Sequence, residues 1–217
     1  LQRDEPQILI IHTHSSEAYT MDAFDTYEPS DSYRTQDATH NVIRLGDILA
    51  ERFAECGLTV IHDRGVYDYP SYTGSYSRAG AAIESYLAQY PSISIVIDLH
   101  RDAIGDNDVI YKTKAEGEAN PSAQAMLVVG TNASGLEHPH WEENLKLALY
   151  LQSAVNPTHP TLMRPVTLTK ERYNQQLTTG SLILEVGSNG NTLQEAITAV
   201  RLFADGAGPA LAKLITD

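Results

Sequence analysis

Cysteine is almost missing from this chain. Cys56 stands alone among 217 residues, so no disulfide can close within the chain and no metal site built on thiolates can form. Long apolar runs are missing as well: no stretch approaches the roughly 18 residues of a membrane span, and the beginning of the chain carries no signal-peptide pattern. Positive charge is scarce. Lys and Arg total 15 against 28 Asp and Glu, a formal net charge of -13, which excludes the clustered cationic surface that binding to nucleic-acid phosphates requires. Internal repeats and low-complexity segments are also absent. What remains is 42% hydrophobic residues over 217 positions, enough for one buried core and one domain. Cys56, within "AERFAECGL", reads as a small buried hydrophobe on the apolar face of a helix. Numbering that starts at Leu1 with no initiating Met predicts a native leader or membrane anchor ahead of these residues.

The apolar residues that are present alternate between two patterns. "QILIIH", "LTVIHD", "ISIVIDLH", "AQAMLVVG" and "GSLILEVG" are short aliphatic runs of the kind found in buried strands. Between them, Val42, Leu45, Ile48, Leu49 and Phe53 recur at helical spacing before a C-capping Gly57. "SRAGAAIESYLAQY", ended by Pro91, "WEENLKLALYLQSAV", and "TLQEAITAVRLFADGAGPALAKLI" read as further helices, the last broken near Gly206 to Pro209. Residues 15–39 are polar and aperiodic, a long functional loop. This order predicts a single α/β domain with a mixed, mostly parallel central sheet flanked by helices, and a site beyond the carboxyl ends of the strands.

Three of those strands end in imidazoles or carboxylates. "ILIIHTH", "IVIDLHRD" and "LILEVG" bring aliphatic residues to a close on His14, His100 and Glu185. If the strands are neighbours, the three side chains share one crevice, and nitrogen and oxygen donors without cysteine suit a catalytic Zn²⁺ that keeps one position open for water. Glu17, three residues after His14, stands at the H-x-x-E spacing that can place two donors on one metal. His12 shares a face with His14 and reads as a residue that orients it or as a buried strand residue rather than a ligand, and Asp98 either accepts the ring N–H of His100 or caps the neighbouring loop. "HPHW", His138 to Trp141, precedes a helix and reads as its first turn.

Taken together, "ILIIHTHSSEAY", "YPSYTGSYSRA", "VIDLHRDA", "RYNQQL" and "LILEVGSNGNTLQEA" resemble the catalytic domain of the stage II sporulation protein P family, peptidoglycan hydrolases of engulfment in spore-forming bacteria. That family is similar in layout to the zinc N-acetylmuramoyl-L-alanine amidases. The resemblance implies a zinc amidase-like fold over residues 1–217, Zn²⁺ as cofactor, His14 and His100 as ligands and Glu185 as the catalytic acid or base. The third ligand stays open between His40, where the amidases place a helix-opening Glu, and Glu17. Asn174 could hydrogen-bond a stem peptide or, equally, satisfy backbone groups as a loop amide; Arg101 could hold substrate or, as the preferred reading, pair with Asp102 at the surface.

The implied reaction is hydrolysis of the bond between N-acetylmuramic acid and L-alanine, with action on peptide cross-links as well. The implied setting is extracytoplasmic, with peptidoglycan as substrate and stage II sporulation proteins D and M as partners. Two other readings compete: a zinc carboxypeptidase, which the H-x-x-E spacing also suits, and a cell-wall binding module that keeps the fold without metal. A glycosidase using Glu185 and Asp98 leaves the histidines unexplained.

Overall fold

A computed structural model describes residues 1–2, 5–106 and 108–216. Ten elements follow in chain order: β1 (Ile8–Ile11), α1 (Val42–Glu55), β2 (Val60–His62), α2 (Ser75–Gln89), β3 (Ile95–Asp102), β4 (Ala125–Gly130), α3 (Trp141–Val155), β5 (Thr167–Thr169), β6 (Ser181–Ser188) and α4 (Leu193–Ala212). The strands form one sheet in the order β2-β1-β3-β6-β4-β5. β2, β1, β3 and β6 run parallel, while β4 is antiparallel to β6 and carries β5 parallel to itself. The chain is therefore a single α/β domain with a mixed, mostly parallel sheet, as its aliphatic runs predict. β5 has no such run: its three residues sit at the sheet edge with Leu168 exposed.

Strand alternation divides the sheet into two faces. Ile8 and Ile10 of β1, Ile97 and Leu99 of β3, and Leu182, Leu184 and Val186 of β6 enter the main core beneath α1, α3 and α4. Phe53 of α1 and Phe203 of α4 are fully buried there, each contributing roughly 1.5–3 kcal/mol. On the opposite face, Leu9, Ile11 and Val96 pack against Ala79 and Ile83 of α2. The same alternation aims Asp98 and His100 of β3, and Glu185 of β6, toward the α2 side. β3 and β6 are neighbours, with His100 directly opposite Glu185.

The helix ends follow local rules. Asn41 caps α1 by accepting the Ile43 N–H, and Thr192 with Glu195 forms a reciprocal capping box on α4. α4 is not broken near Gly206 to Pro209. Those glycines serve packing: a Cβ on Gly206 would lie 2.8 Å from the Val155 Cα, and one on Gly208 2.7 Å from Cys56 Sγ. Pro209 falls in the last turn, where it forfeits one hydrogen bond and the burial of Ala210 and Leu211 holds the helix in place. Cys56 is the half-buried C-cap of α1 rather than a core residue. No described helix is long and apolar enough to cross a membrane.

Two irregularities set up the site. Beyond His100 the β3/β6 ladder shifts register, so that Asp102 faces Ser188, and Gly187 takes up the extra residue at φ 67°. β1 stops at Ile11 and the chain turns over residues 13–16, which overturns the expected partnership of His12 and His14. His12 keeps the inward direction of Ile8 and Ile10. It is fully buried, with Nδ1 2.9 Å from Leu99 O and Nε2 2.8 Å from His62 Nε2. Burial, reinforced by His62, lowers its pKa to about 3, so it is neutral.

Gly46 of α1 gives that imidazole its room. A Cβ there would meet His12 Nε2 at 2.5 Å and His62 Nε2 closer still. Alanine gains about 1 kcal/mol of helix propensity over glycine, but overpacking costs about 1–3 kcal/mol, and the ring cannot swing away from Leu99. Gly46→Ala is therefore expected to lower stability by about 1–2 kcal/mol in urea denaturation. A variant as stable as the parent would show that the packing yields.

Candidate metal centre

The turn after β1 puts His14 and Glu17 next to the end of β3. The Glu17 N–H donates to the His14 carbonyl at 3.1 Å, closing the turn so that both side chains face His100. Glu17 Oε1 lies 3.5 Å from His14 Nδ1, and Oε2 lies 3.2 Å from His100 Nδ1. The two imidazoles stand at right angles, ring centroids 5.0 Å apart. One donor atom from each of His14, Glu17 and His100 lies within 4.8 Å of the others, and all three residues are buried. This cluster could hold a metal ion.

Each member is braced from outside. Asp98 Oδ1 lies 2.9 Å from His100 Nε2, off the axis of a straight hydrogen bond. The carboxylate also accepts from Thr13 N at 2.8 Å and Thr13 Oγ1 at 2.6 Å. One buried carboxylate thus faces the imidazole on β3 and ties the residue before His14, an arrangement known to orient metal-binding histidines. His14 has no such hydrogen-bonded brace. Tyr72 stacks on its ring at 4.5 Å and Tyr76 meets it edge-on at 5.4 Å. Glu17 accepts from the Arg101 N–H at 3.2 Å, with the Arg34 guanidinium 3.6 Å away.

Electrostatics reflect the crowding. Burial alone would raise the Glu17 pKa, but Arg101 and His100 overcome it and hold the carboxyl well below its usual range. Burial likewise disfavours a charged His100, and Asp98 and Glu17 on either side drive its pKa well above the ordinary value. Glu185 is different. Its surroundings strip water from the carboxyl and push its pKa up to about 8, with Glu17 and Asp102 adding repulsion. His14 Nε2 and Glu185 Oε2 are buried without a hydrogen-bond partner. Polar atoms left unpaired in the interior normally mark a strained or a ligand site. Two imidazoles and one carboxylate match the donor set of catalytic zinc sites. The residues present fit a divalent metal.

His14, Glu17, His100 and Glu185 line one cleft of about 260 Å³ together with Tyr72, Tyr76 and Tyr173. The other residues singled out in the sequence fare differently. His40 lies outside the cluster, its Nδ1 2.9 Å from both Asp37 Oδ2 and Thr39 Oγ1. Asn174 uses its amide to donate to Tyr76 O at 2.8 Å, pinning the one-turn helix Gln175–Leu177 to α2. Arg101 is buried and does not pair with Asp102. Its Nε donates to Ala18 O at 2.9 Å and Nη2 to Tyr33 O at 3.0 Å, while Asp102 pairs with Arg164 at 2.7 Å. Arg101 therefore lines the cleft as a clamp on the loop that carries Glu17. The tyrosines are not legible as site residues in the sequence, because Tyr72 and Tyr173 lie in loops and Tyr76 in the first turn of α2, where single aromatics carry no period.

Comparison with known proteins agrees with this layout. The model of the "Stage II sporulation protein P (SpoIIP)" family matches residues 1–207. Stage II sporulation protein P of Bacillus subtilis (strain 168) is 28% identical over 213 residues, covering 93% of this chain and 50% of the relative. The chain thus spans about half the length of the curated relative it matches. Among solved structures, the CwlD amidase from Clostridioides difficile, in complex with the GerS lipoprotein, has a TM-score of 0.54 at 13% identity, over 95% of this chain and 97% of that one. The catalytic domain of CwlV, an N-acetylmuramoyl-L-alanine amidase from Bacillus (Paenibacillus) polymyxa var. colistinus, has a TM-score of 0.54 at 12% identity, over 95% and 97%. The apo amidase Ami1 from Mycobacterium abscessus has a TM-score of 0.55 at 11% identity, over 96% and 98%. These likenesses show an amidase fold.

The ligand set is testable by zinc titration against a chromophoric chelator. His14→Ala and His100→Ala are expected to abolish stoichiometric zinc binding, and Asp98→Asn to weaken it about 10–100-fold. His40→Ala is expected to keep one equivalent; loss of zinc in that variant would return His40 to the ligand set.

Proposed function

The chain belongs to the stage II sporulation protein P family, and from that premise we propose that residues 1–217 form a zinc-dependent peptidoglycan hydrolase domain. It cleaves the amide between N-acetylmuramic acid and L-alanine, and acts also on stem-peptide cross-links. The observation that carries this reading is the convergence of His14, Glu17 and His100 on one point, in a cleft whose wall also holds Glu185. The amidase fold of the solved neighbours supports it. By the same membership the domain works outside the cytoplasm, on peptidoglycan, with stage II sporulation proteins D and M.

His14, Glu17 and His100 would hold the ion. Zinc bound there supplies Lewis acidity toward the scissile carbonyl and lowers the pKa of a bound water toward about 7. Glu185 does the proton work. An amide nitrogen leaves poorly until protonated, so one carboxylate must accept a proton from the attacking water and deliver it to the departing amine. Burial pushes the Glu185 pKa up to about 8, which raises its proton affinity but leaves it mostly protonated at neutral pH, so the positive charge of a bound ion would be what keeps it ionised as the base, and its place opposite His100 in the β3/β6 ladder fixes the side from which it acts. Asp98 keeps the His100 ring in register, and Arg101 keeps Glu17 ionised and in place.

Glu185→Gln is expected to retain one equivalent of zinc and to lose muropeptide hydrolysis by about 10²–10⁴-fold, the usual weight of a general acid–base. Mass spectrometry of the fragments reads the bond cleaved. Near-parental turnover by the variant would remove Glu185 from this role. Cleavage confined to C-terminal dipeptides would replace the amidase reading with a carboxypeptidase.

A further inference from the structure

Beside the metal cleft lies a second cavity of about 260 Å³. The two share one wall, the ring of Tyr72, which on the metal side stacks on His14. Tyr69, Ser16, Ser30, Arg34 and Gln36 complete much of the second cavity. Tyr69 and Tyr72 are 55% and 57% exposed, so two aromatic rings stand open to solvent beside hydroxyl and amide groups.

We propose that this cavity binds a saccharide ring of the substrate, the acyl half of the scissile amide, while the stem peptide lies in the metal cleft. The proposal rests on the amidase reading above and adds where the sugar goes. An amide that joins a sugar to a peptide has its halves on opposite sides of the scissile bond, so the substrate needs two compartments flanking the metal ligands. The two cavities meet at Tyr72, whose ring stacks on His14. Chemistry decides which half goes where.

The second cavity is not an anion site. Arg34 Nη1 is 2.8 Å from Asp68 Oδ2 and donates to Ser16 Oγ at 3.1 Å, so its charge is already matched. Asp31 adds a negative group to the lining. Carboxylates of a stem peptide are repelled there. A neutral, hydroxyl-rich ring suits it: the Tyr72 ring is stacked on His14 and has the Arg34 guanidinium over it, so the exposed ring of Tyr69 is the one that offers apolar surface with a polar tip to a C–H face, and hydroxyls meet Ser30, Gln36 and the Asp31 carboxylate. The volume of about 260 Å³ falls just below the about 300–1,000 Å³ usual for small-molecule pockets, on the scale of a single sugar ring. The lining of the metal cleft, by contrast, includes the aliphatic side chains of Val128, Ile183 and Ala103 beside its charged groups, a surface against which the methyl of an alanine can lie.

Two measurements test this. In the first, hydrolysis of a disaccharide-peptide is compared with that of a lactoyl-peptide, which keeps the scissile amide and lacks the sugar. Loss of the sugar is expected to lower kcat/KM at least about tenfold, partly in kcat, because remote binding energy supports the transition state. Tyr69→Ala and Gln36→Ala are expected to shrink that ratio severalfold while zinc content stays at one equivalent. Equal rates on the two substrates would overturn the proposal and leave the amidase reading standing.

The second measurement uses the unmodified protein without added metal. It is titrated with the disaccharide of N-acetylglucosamine and N-acetylmuramic acid, its lactyl carboxyl capped as the methylamide, and followed by NMR. Shifts centred on Tyr69, Tyr72 and Gln36 are expected. If they appear and no substrate is hydrolysed, the saccharide site holds and the amidase reading fails. If shifts appear elsewhere or not at all, the saccharide site is lost.

Discussion

A carboxylate enters a protein interior only with compensation, since removing such an ion from water costs several kcal/mol even after the surroundings relax. Glu17 is buried at the meeting point of β1's turn, the loop after it and β3. Its compensation comes from widely separated residues: His14 in its own turn, His100 and the Arg101 backbone from β3, and Arg34 from the far end of the loop. Around it runs a second ring of charge. Arg101 grips the carbonyls of Ala18 and Tyr33, while Arg34 is anchored by Asp68, which also binds the Ser15 and Ser16 hydroxyls. The loop of residues 15–39 takes its path from the need to neutralise one acid.

The sheet decides where that acid can meet imidazoles. Because side chains alternate, the strands that bury Ile97, Leu99, Leu182 and Leu184 under three helices must present Asp98, His100, Ile183 and Glu185 to the other side. There α2 covers β1 and β3 through Ala79 and Ile83, and the remaining space becomes the cleft. Core and site are opposite faces of the same residues' periodicity. Stability is concentrated on one side of the sheet and chemistry on the other.

Much of this was legible in the amino-acid sequence, for a physical reason. A polar side chain at the end of a buried strand costs desolvation unless it has a task, which singles out His14, His100 and Glu185 in the sequence itself. Glu17 was legible only as a local spacing, and its competition with His40 could not be decided, because the outcome depends on how the long loop closes: the bridge between Ala18 and Asn41 brings the loop's ends together, and His40 turns to Asp37. Arg101 was misread as a surface residue because its partners lie 68 and 83 positions away. His12 is buried and outside the metal cluster, as one of its two readings has it, but it does not share a face with His14, because the strand ends before the turn that begins at Thr13. The break expected near Gly206 to Pro209 does not occur in α4, because the missing side chains of Gly206 and Gly208 admit Val155 and Cys56.

The extra residue that β6 carries after Glu185 has a further meaning. With Gly187 in a left-handed conformation, the inside-outside phase of the strand is reset one step past the acid. Everything downstream, from Ser188 into the Thr192 cap, is geared to that altered phase. Excision of this single position would invert the parity of the strand's end and unseat the capped helix that follows. The rim above the cleft is, in effect, timed by a one-residue offset.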